Sequence, residues 1–511
     1  MLHRTFSAAF FAKLGTNDAP EAGVDMSRIE SVLEHIEPRL PAGAIVTDET
    51  ERKTYECDGL AVHRTVPALV VRVTSTAEVA LAVRACHEFD VPFVARGSGT
   101  GLSGGAQPHA EGVLIVMATM RDILDIDLIA QRAVVQPGVI NLDLSNEANP
   151  DGYYFAPDPS SQSVCSIGGN VAENSGGAHC LKYGFTTNHV TGCTLVTAQG
   201  EIVEIGGQAP EYPGYDLLGV LCGSEGTLGI VTEVTVRLTR LPEAVETLLI
   251  GFDSTDAAGE AVSDIISAGI MPAAIEMMDA LAIEAAEKAV ACNYPEGAGA
   301  VLVVELDGPA IDVELERETV IARARDHHAG EIRVAVDDVE RGLIWKGRKS
   351  AFAAVGRISP DYIVQDGVIP RSRLGPVLAS ISTIAEECGV RVANVFHAGD
   401  GNLHPLVLFD GALEGQAELA ETASGRILDL CLSEGGSITG EHGVGSDKAK
   451  FMPRMFTNED LDTMQILRCA FDPSHLSNPG KVFPTPRLCG EPPRRTSGEH
   501  PLQTAGKAEL F

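Results

Sequence analysis

The 511-residue chain holds one tryptophan, 5% aromatic residues, and 38 basic residues against 71 acidic ones. The resulting net charge of −33 repels phosphate backbones and anionic lipid headgroups, which argues against nucleic acid as a partner. No apolar run approaches the roughly 20 residues of a membrane-spanning helix. No two cysteines are spaced as CxxC, and their number, 11, is odd. That pattern offers no zinc ribbon, no cysteine-held iron–sulfur cluster and no disulfide framework, and it reads as reduced thiols in a cytoplasm. The opening MLHRTFSAAFFAKL has basic residues and no acids, but it lacks the apolar core and cleavage pattern of a signal peptide. An intracellular location is expected.

What is present is ordinary globular material: 44% hydrophobic and 21% charged residues. A chain this long divides into two or three domains. From Pro67, ALVVRV, TAEVALAVRACHEF and VPFVA read as strand, helix and strand, with Thr76 as helix N-cap. GVLIVMA and RAVVQPG suggest further strands, and CTLVTAQ and EIVEIG a hairpin turning at Gly200. This mixed half runs to about Leu241. LPEAVE, residues 241–246, reads as a linker; beyond it TLLIGF, DAAGEAVSDIISAG, AVLVVELD and DVELERETVIARARDH alternate between strand and helix patterns. A second α+β domain is expected there. The stretch after Pro484 is rich in Pro, Gly and polar residues and reads as loosely ordered.

ARGSGTGLSGG carries five glycines directly after an expected strand, where backbone amides free of side chains can close around phosphate oxygens. It has neither the Walker lysine nor the G-x-G-x-x-G spacing. By itself it fits a flexible turn as well as a nucleotide site. PDPSSQSVCSIGGNVAENSGGAHCLKYG and GSEGTLGIVTEVTVRL add two more small-residue stretches, as if one long ligand lay across the domain.

In NVFHAGDGNLHP two histidines flank a turn-like centre between two strand patterns, RVANVF and LHPLVLF. A hairpin would bring their rings close enough to share a cation, or they could simply satisfy hydrogen bonds. GSITGEHGVG adds a carboxylate and an imidazole between glycines. Two imidazoles and one carboxylate leave coordination positions open, as in catalytic sites for zinc, manganese or ferrous iron. The bland alternative is a polar turn.

These stretches together resemble the vanillyl-alcohol-oxidase type of FAD-binding protein over nearly the whole sequence. Within it the nearest resemblance is to the glycolate oxidase D-subunit family, with D-lactate and D-2-hydroxyglutarate dehydrogenases as relatives. The resemblance implies an α+β fold: a two-subdomain FAD-binding domain and an α+β substrate, or cap, domain. It places an N-terminal helical segment at 1–61, the FAD domain at 62–241, the cap at 242–470, a segment returning to FAD at 471–484, and a flexible tail at 485–511. It gives the pyrophosphate loop to Arg96, Gly97, Ser98, Gly99, Thr100 and Gly101. It implicates Pro157, Asp158, Ser161, Gly168, Gly169, Asn174 and Gly177 along the isoalloxazine and ribityl. Glu225, Ile230, Asn478 and Lys481 follow near FAD. The first loop has no histidine, so the FAD is expected to be non-covalent.

The same resemblance makes His397, His404 and Glu441 metal ligands and His442 the catalytic base. It gives Arg348, in IWKGRKSAF, the substrate carboxylate, for which a guanidinium fork is the right donor; a surface ion pair is the plain alternative. Relatives that oxidise dicarboxylates have a polar residue shortly after the second histidine, where this chain has Pro405, Leu406 and Val407. A small monocarboxylate such as glycolate, or secondarily D-lactate, is therefore expected. The implied partners are an iron–sulfur subunit and a second flavin-binding subunit, passing electrons to a membrane quinone from the cytoplasmic face. Two other readings remain at this stage: a stand-alone D-lactate or D-2-hydroxyglutarate dehydrogenase, and a flavin-free scaffold subunit.

Overall fold

The computed structural model describes residues 26–484, apart from residue 208 and residues 210–213. The segments 1–25 and 485–511, with the expectations attached to them, lie outside the described residues.

The first sheet has the order Ile45–Val46, Leu69–Arg72, Val113–Val116, Phe93–Arg96, the last three strands parallel. The N-terminal segment is thus not purely helical, since it supplies an edge strand. The helix Thr76–Glu88 makes the crossover and buries Val79, Val83 and Cys86 among Val71, Phe93 and Ile115. Its N-cap is Ser75, not Thr76: Ser75 is extended and accepts a hydrogen bond from Glu78 N. Thr76 instead donates its hydroxyl to Thr232.

A second sheet, wholly antiparallel, has the order Ile123–Asp127, Arg132–Val135, Ile230–Arg237, Val190–Val196, Ile202–Gly206. Its last strand in the chain is its central one. The strict in-and-out alternation of burial along Ile230–Arg237 shows one face buried, and the helix Ile167–Glu173 joins the core of Val135, Val171, Val234 and Val236. The hairpin at Gly200 forms as expected, with Val196 opposite Ile202.

The expected linker is shorter than its composition suggests. The strand Ala244–Phe252 begins at Ala244, paired with Gly308, so only residues 241–243 connect the halves. It belongs to a large antiparallel sheet that also contains Ala300–Gly308, Ala274–Asp279 and Arg391–His397. Helices cover both faces. Thr255–Ser267, Ala310–Asp326, Leu374–Cys388 and Gln416–Ser433 pack on one side, Ala280–Val290 and Asp338–Val355 on the other. This explains why the central strands read as continuous apolar runs.

After the helix Asn458–Phe471 the chain returns to the first domain: Phe93 N donates to Leu476 O, and Asn478 N to Phe93 O. Nine of the described cysteines are free thiols.

Candidate active site

The glycine loop follows the strand Phe93–Arg96 and leans on the N-terminus of the helix Ile167–Glu173. A Cβ on Gly97 would lie 2.2 Å from Ser166 Oγ, and one on Gly168 2.5 Å from Pro137. Gly99 needs its left-handed φ of 70°. Among the described residues, the backbone N–H groups of Ser98, Gly99, Thr100 and Gly101 make no backbone hydrogen bond. An arc of free amides beside a helix N-terminus suits a pyrophosphate, so these residues fit FAD.

Other expected cofactor residues are tied to the protein. Arg96 donates to Cys57 O at 2.7 Å. Asn174 is the left-handed C-cap of its helix, and its side chain accepts from Thr187 N. Pro157 O accepts from Asn141, Ser161 O accepts from Val164 N and Cys165 N, and Gly177 presses on the Asp158 backbone. Asp158 pairs with His179 at 2.9 Å. Ile230 is a core residue. Glu225 accepts from Val444 N at 2.7 Å and Gly445 N at 2.8 Å, which tethers the loop carrying Glu441 and His442. Asn478 donates to Gly105 O and Glu225 O, and Lys481 to Gln107 O.

The histidines stand where the hairpin puts them, though not opposite each other. Asn394 faces Pro405 and His397 faces Asn402, so His397 and His404 share a face as diagonal neighbours. Their rings meet edge to face with centroids 5.1 Å apart. Nε2 of His397 lies 3.1 Å and Nε2 of His404 3.0 Å from the same oxygen, Glu441 Oε1. The two histidines are buried and Glu441 is partly so. Although burial opposes its charged form, Glu276 and Glu441 hold the His397 pKa well above the imidazole range. Burial likewise opposes ionisation of Glu441, but His397 and His404 keep its pKa well below the carboxylate range. Two imidazole nitrogens and one carboxylate oxygen converging on a point fit a divalent cation.

His442 stands slightly apart. Its Nε2 is 4.0 Å from Glu441 Oε1, and burial pushes its pKa down to about 4, so it is neutral near pH 7. Its side chain is 16% exposed, against 5% and 2% for His397 and His404, so of the three it is the most open to the cleft. The first domain approaches from the other side: a Cβ on Gly176 would lie 2.8 Å from Glu441 Oε2.

Three residues here carry no motif in the sequence. Glu276 places Oε1 2.7 Å from His397 Nδ1. Asp366 accepts from Gly440 N at 3.0 Å, His442 N at 2.9 Å, the Thr439 hydroxyl at 2.5 Å and Lys448 Nζ at 3.2 Å. Lys448 itself is buried. The only hint in the sequence was an acid inside an apolar strand, in AIEMMD and IVQDGV. Arg348 is 2% exposed and pairs through Nη2 with Glu276 at 2.5 Å, while its Nε has no hydrogen-bond partner among the described residues. It is a buried member of the cluster and not a surface ion pair.

A glycine cradle for a dinucleotide in one domain and a histidine–carboxylate cluster in the next have counterparts in known proteins. Residues 67–206 match the FAD binding domain, and residues 241–482 match the C-terminal domain of FAD linked oxidases. The glycolate oxidase subunit GlcD of Escherichia coli K12 is 49% identical over 461 residues, 90% of this chain and 92% of that protein. The chain belongs to the FAD-linked oxidases. The D-lactate dehydrogenase of Anaerostipes hadrus is 32% identical, over 88% of this chain and 97% of its own length. For the fold alone, p-cresol methylhydroxylase superposes with a TM-score of 0.74 at 15% identity, covering 90% of this chain and 98% of its own. The family is of the vanillyl-alcohol-oxidase type, and the chain is an FAD-dependent oxidoreductase. Among the described residues no helix is long and apolar enough to cross a membrane.

Proposed function

We propose that the chain oxidises a small 2-hydroxy acid to the 2-oxo acid, glycolate ahead of D-lactate. The observation that carries the site assignment is the meeting of His397 Nε2 and His404 Nε2 at one oxygen of Glu441, with neutral His442 alongside. When bound, FAD accepts hydride and a divalent cation at the three ligands lowers the pKa of the substrate hydroxyl. His442 takes the hydroxyl proton at Nε2. Arg348 holds the substrate carboxylate with the arm that Glu276 leaves unpartnered, fixing the α-hydrogen toward the flavin domain. The buried wall on both sides excludes water.

Leu406 lies on the His404 face of the hairpin and is buried in the cap core, and it offers no polar group to a second carboxylate. This favours a monocarboxylate over 2-hydroxyglutarate. The E. coli relative is named a subunit, which supports the existence of partner subunits; the partners proposed are an iron–sulfur subunit and a second flavin-binding subunit, delivering electrons to membrane quinone on the cytoplasmic side. A stand-alone D-lactate dehydrogenase is the second reading, favoured by the likeness to the Anaerostipes hadrus enzyme.

Anaerobic mixing with glycolate, D-lactate, L-lactate and D-2-hydroxyglutarate, following flavin bleaching, tests the substrate. Glycolate is expected to bleach fastest; bleaching only by 2-hydroxyglutarate would reject the monocarboxylate reading. Acid precipitation should release the flavin to the supernatant, because the loop of residues 96–105 offers no histidine for a covalent bond.

A further inference from the structure

We propose that Glu276 is the positioning residue of the metal site, holding the His397 ring through Nδ1 so that Nε2 is the atom turned toward a cation beside Glu441. The strand Ala274–Asp279 pairs with Arg391–His397 in a register that sets Glu276 directly opposite His397. Both side chains therefore project from the same face of the sheet, and Oε1 reaches Nδ1 at 2.7 Å. The other oxygen is 2.5 Å from Arg348 Nη2. A histidine that ligates a cation through Nε2 carries its one N–H on Nδ1, and Glu276 Oε1 is placed to accept it. Nε2 is the nitrogen turned toward Glu441, 3.1 Å from Oε1.

Glu276 and Arg348 are 1% and 2% exposed. A carboxylate this deep in an apolar strand persists only when both its oxygens find charged or donating partners. Here Oε1 meets the His397 ring and Oε2 the Arg348 guanidinium. His404 has a looser anchor: its Nδ1 faces a backbone carbonyl, Gln365 O, at 3.4 Å, with Asp366 Oδ1 beyond it at 3.8 Å. The two ligand histidines are thus held unequally, His397 by a carboxylate in hydrogen-bond contact and His404 by partners at longer range. This inference rests on the metal reading of His397, His404 and Glu441.

The test uses the FAD-loaded protein stripped of metal and titrated with cobalt(II), reading affinity against a chelator and the visible d–d absorption. Glu276→Gln keeps the shape but removes the charge. It is expected to weaken cobalt binding by about 10–100-fold and to shift the d–d band, with FAD content unchanged. Glu276→Asp keeps a charge for Arg348 but withdraws the oxygen from Nδ1, and it should weaken binding too, covering the case in which the glutamine variant does not fold. Wild-type affinity and an unshifted band in either folded variant would overturn the role of Glu276. A wild type that takes up no cobalt would overturn the metal reading itself, and this inference with it.

Discussion

His404 and His442 stack face to face, centroids 4.8 Å apart and planes 9° from parallel, yet only His404 has a ring nitrogen within hydrogen-bonding distance of Glu441. Similar neighbours should therefore fail differently. His397→Ala, His404→Ala and Glu441→Ala are expected to lose bound metal by elemental analysis, together with activity. His442→Ala should keep metal and FAD and lose about 10²–10⁴-fold in the rate of flavin reduction, the usual scale for a general base. A metal-free wild type that reduces its flavin at full rate in EDTA would return all four residues to a purely structural role.

The depressed pKa of His442 sets the pH dependence. Only the neutral ring can accept a proton, so kcat/KM should rise with pH through about 4 and stay level across neutrality. An ordinary histidine would place that limb near 6.5. Stability shares the sign: between about 6.5 and 4 the unfolded ring is protonated and the folded one is not, so His442 makes the protein less stable as pH falls through that window. An acid limb at 6.5 in the kcat/KM profile would show that His442 is not the base.

Arg348→Ala should lower kcat/KM by about 10²-fold or more, because losing a charge-assisted bond to a buried ion costs several kcal/mol. FAD content should not change. Normal kinetics would mean that the substrate carboxylate is held elsewhere.

Asp366 gathers the backbone of residues 440–442 and Lys448 onto one carboxylate. Burial opposes its ionisation, but Lys448, His442 and His404 hold its pKa well below the usual range. Asp366→Ala leaves Lys448 buried and unpaired, at a cost of about 3–5 kcal/mol by chemical denaturation. The loop that presents Glu441 should loosen, so metal affinity should fall together with stability. Unchanged stability would show that the ion pair contributes nothing.

The ligand hairpin and the Gly-Glu-His-Gly turn were legible because their chemistry is local: glycines, a turn and histidines within a few residues. Glu276 was not. It lies 121 positions from His397, and only the pairing of two sheet strands brings them together. The resemblance placed Glu225 near FAD, but nothing in the sequence announced that its carboxylate closes on amides 219 and 220 positions away. The linker was overestimated because Glu243 and Glu246 interrupt the apolar pattern where the strand Ala244–Phe252 is only half-buried. Helix capping at Ser75 instead of Thr76 turned on which residue takes the extended conformation.

The bond from Phe93 N to Leu476 O and the reach of Asn478 to Gly105 give the protein an order of assembly. During synthesis the parallel strands and the glycine loop emerge early, but the residues that finish their edge are made only after the whole cap. The nascent cofactor domain must wait with an open edge, exposed to mispairing, until the ribosome reaches residue 478. Contacts so distant in sequence also make folding slow. Competence to retain FAD should therefore appear late, and removal of residues 476–484 should cost cofactor binding although no residue of the first glycine loop is touched.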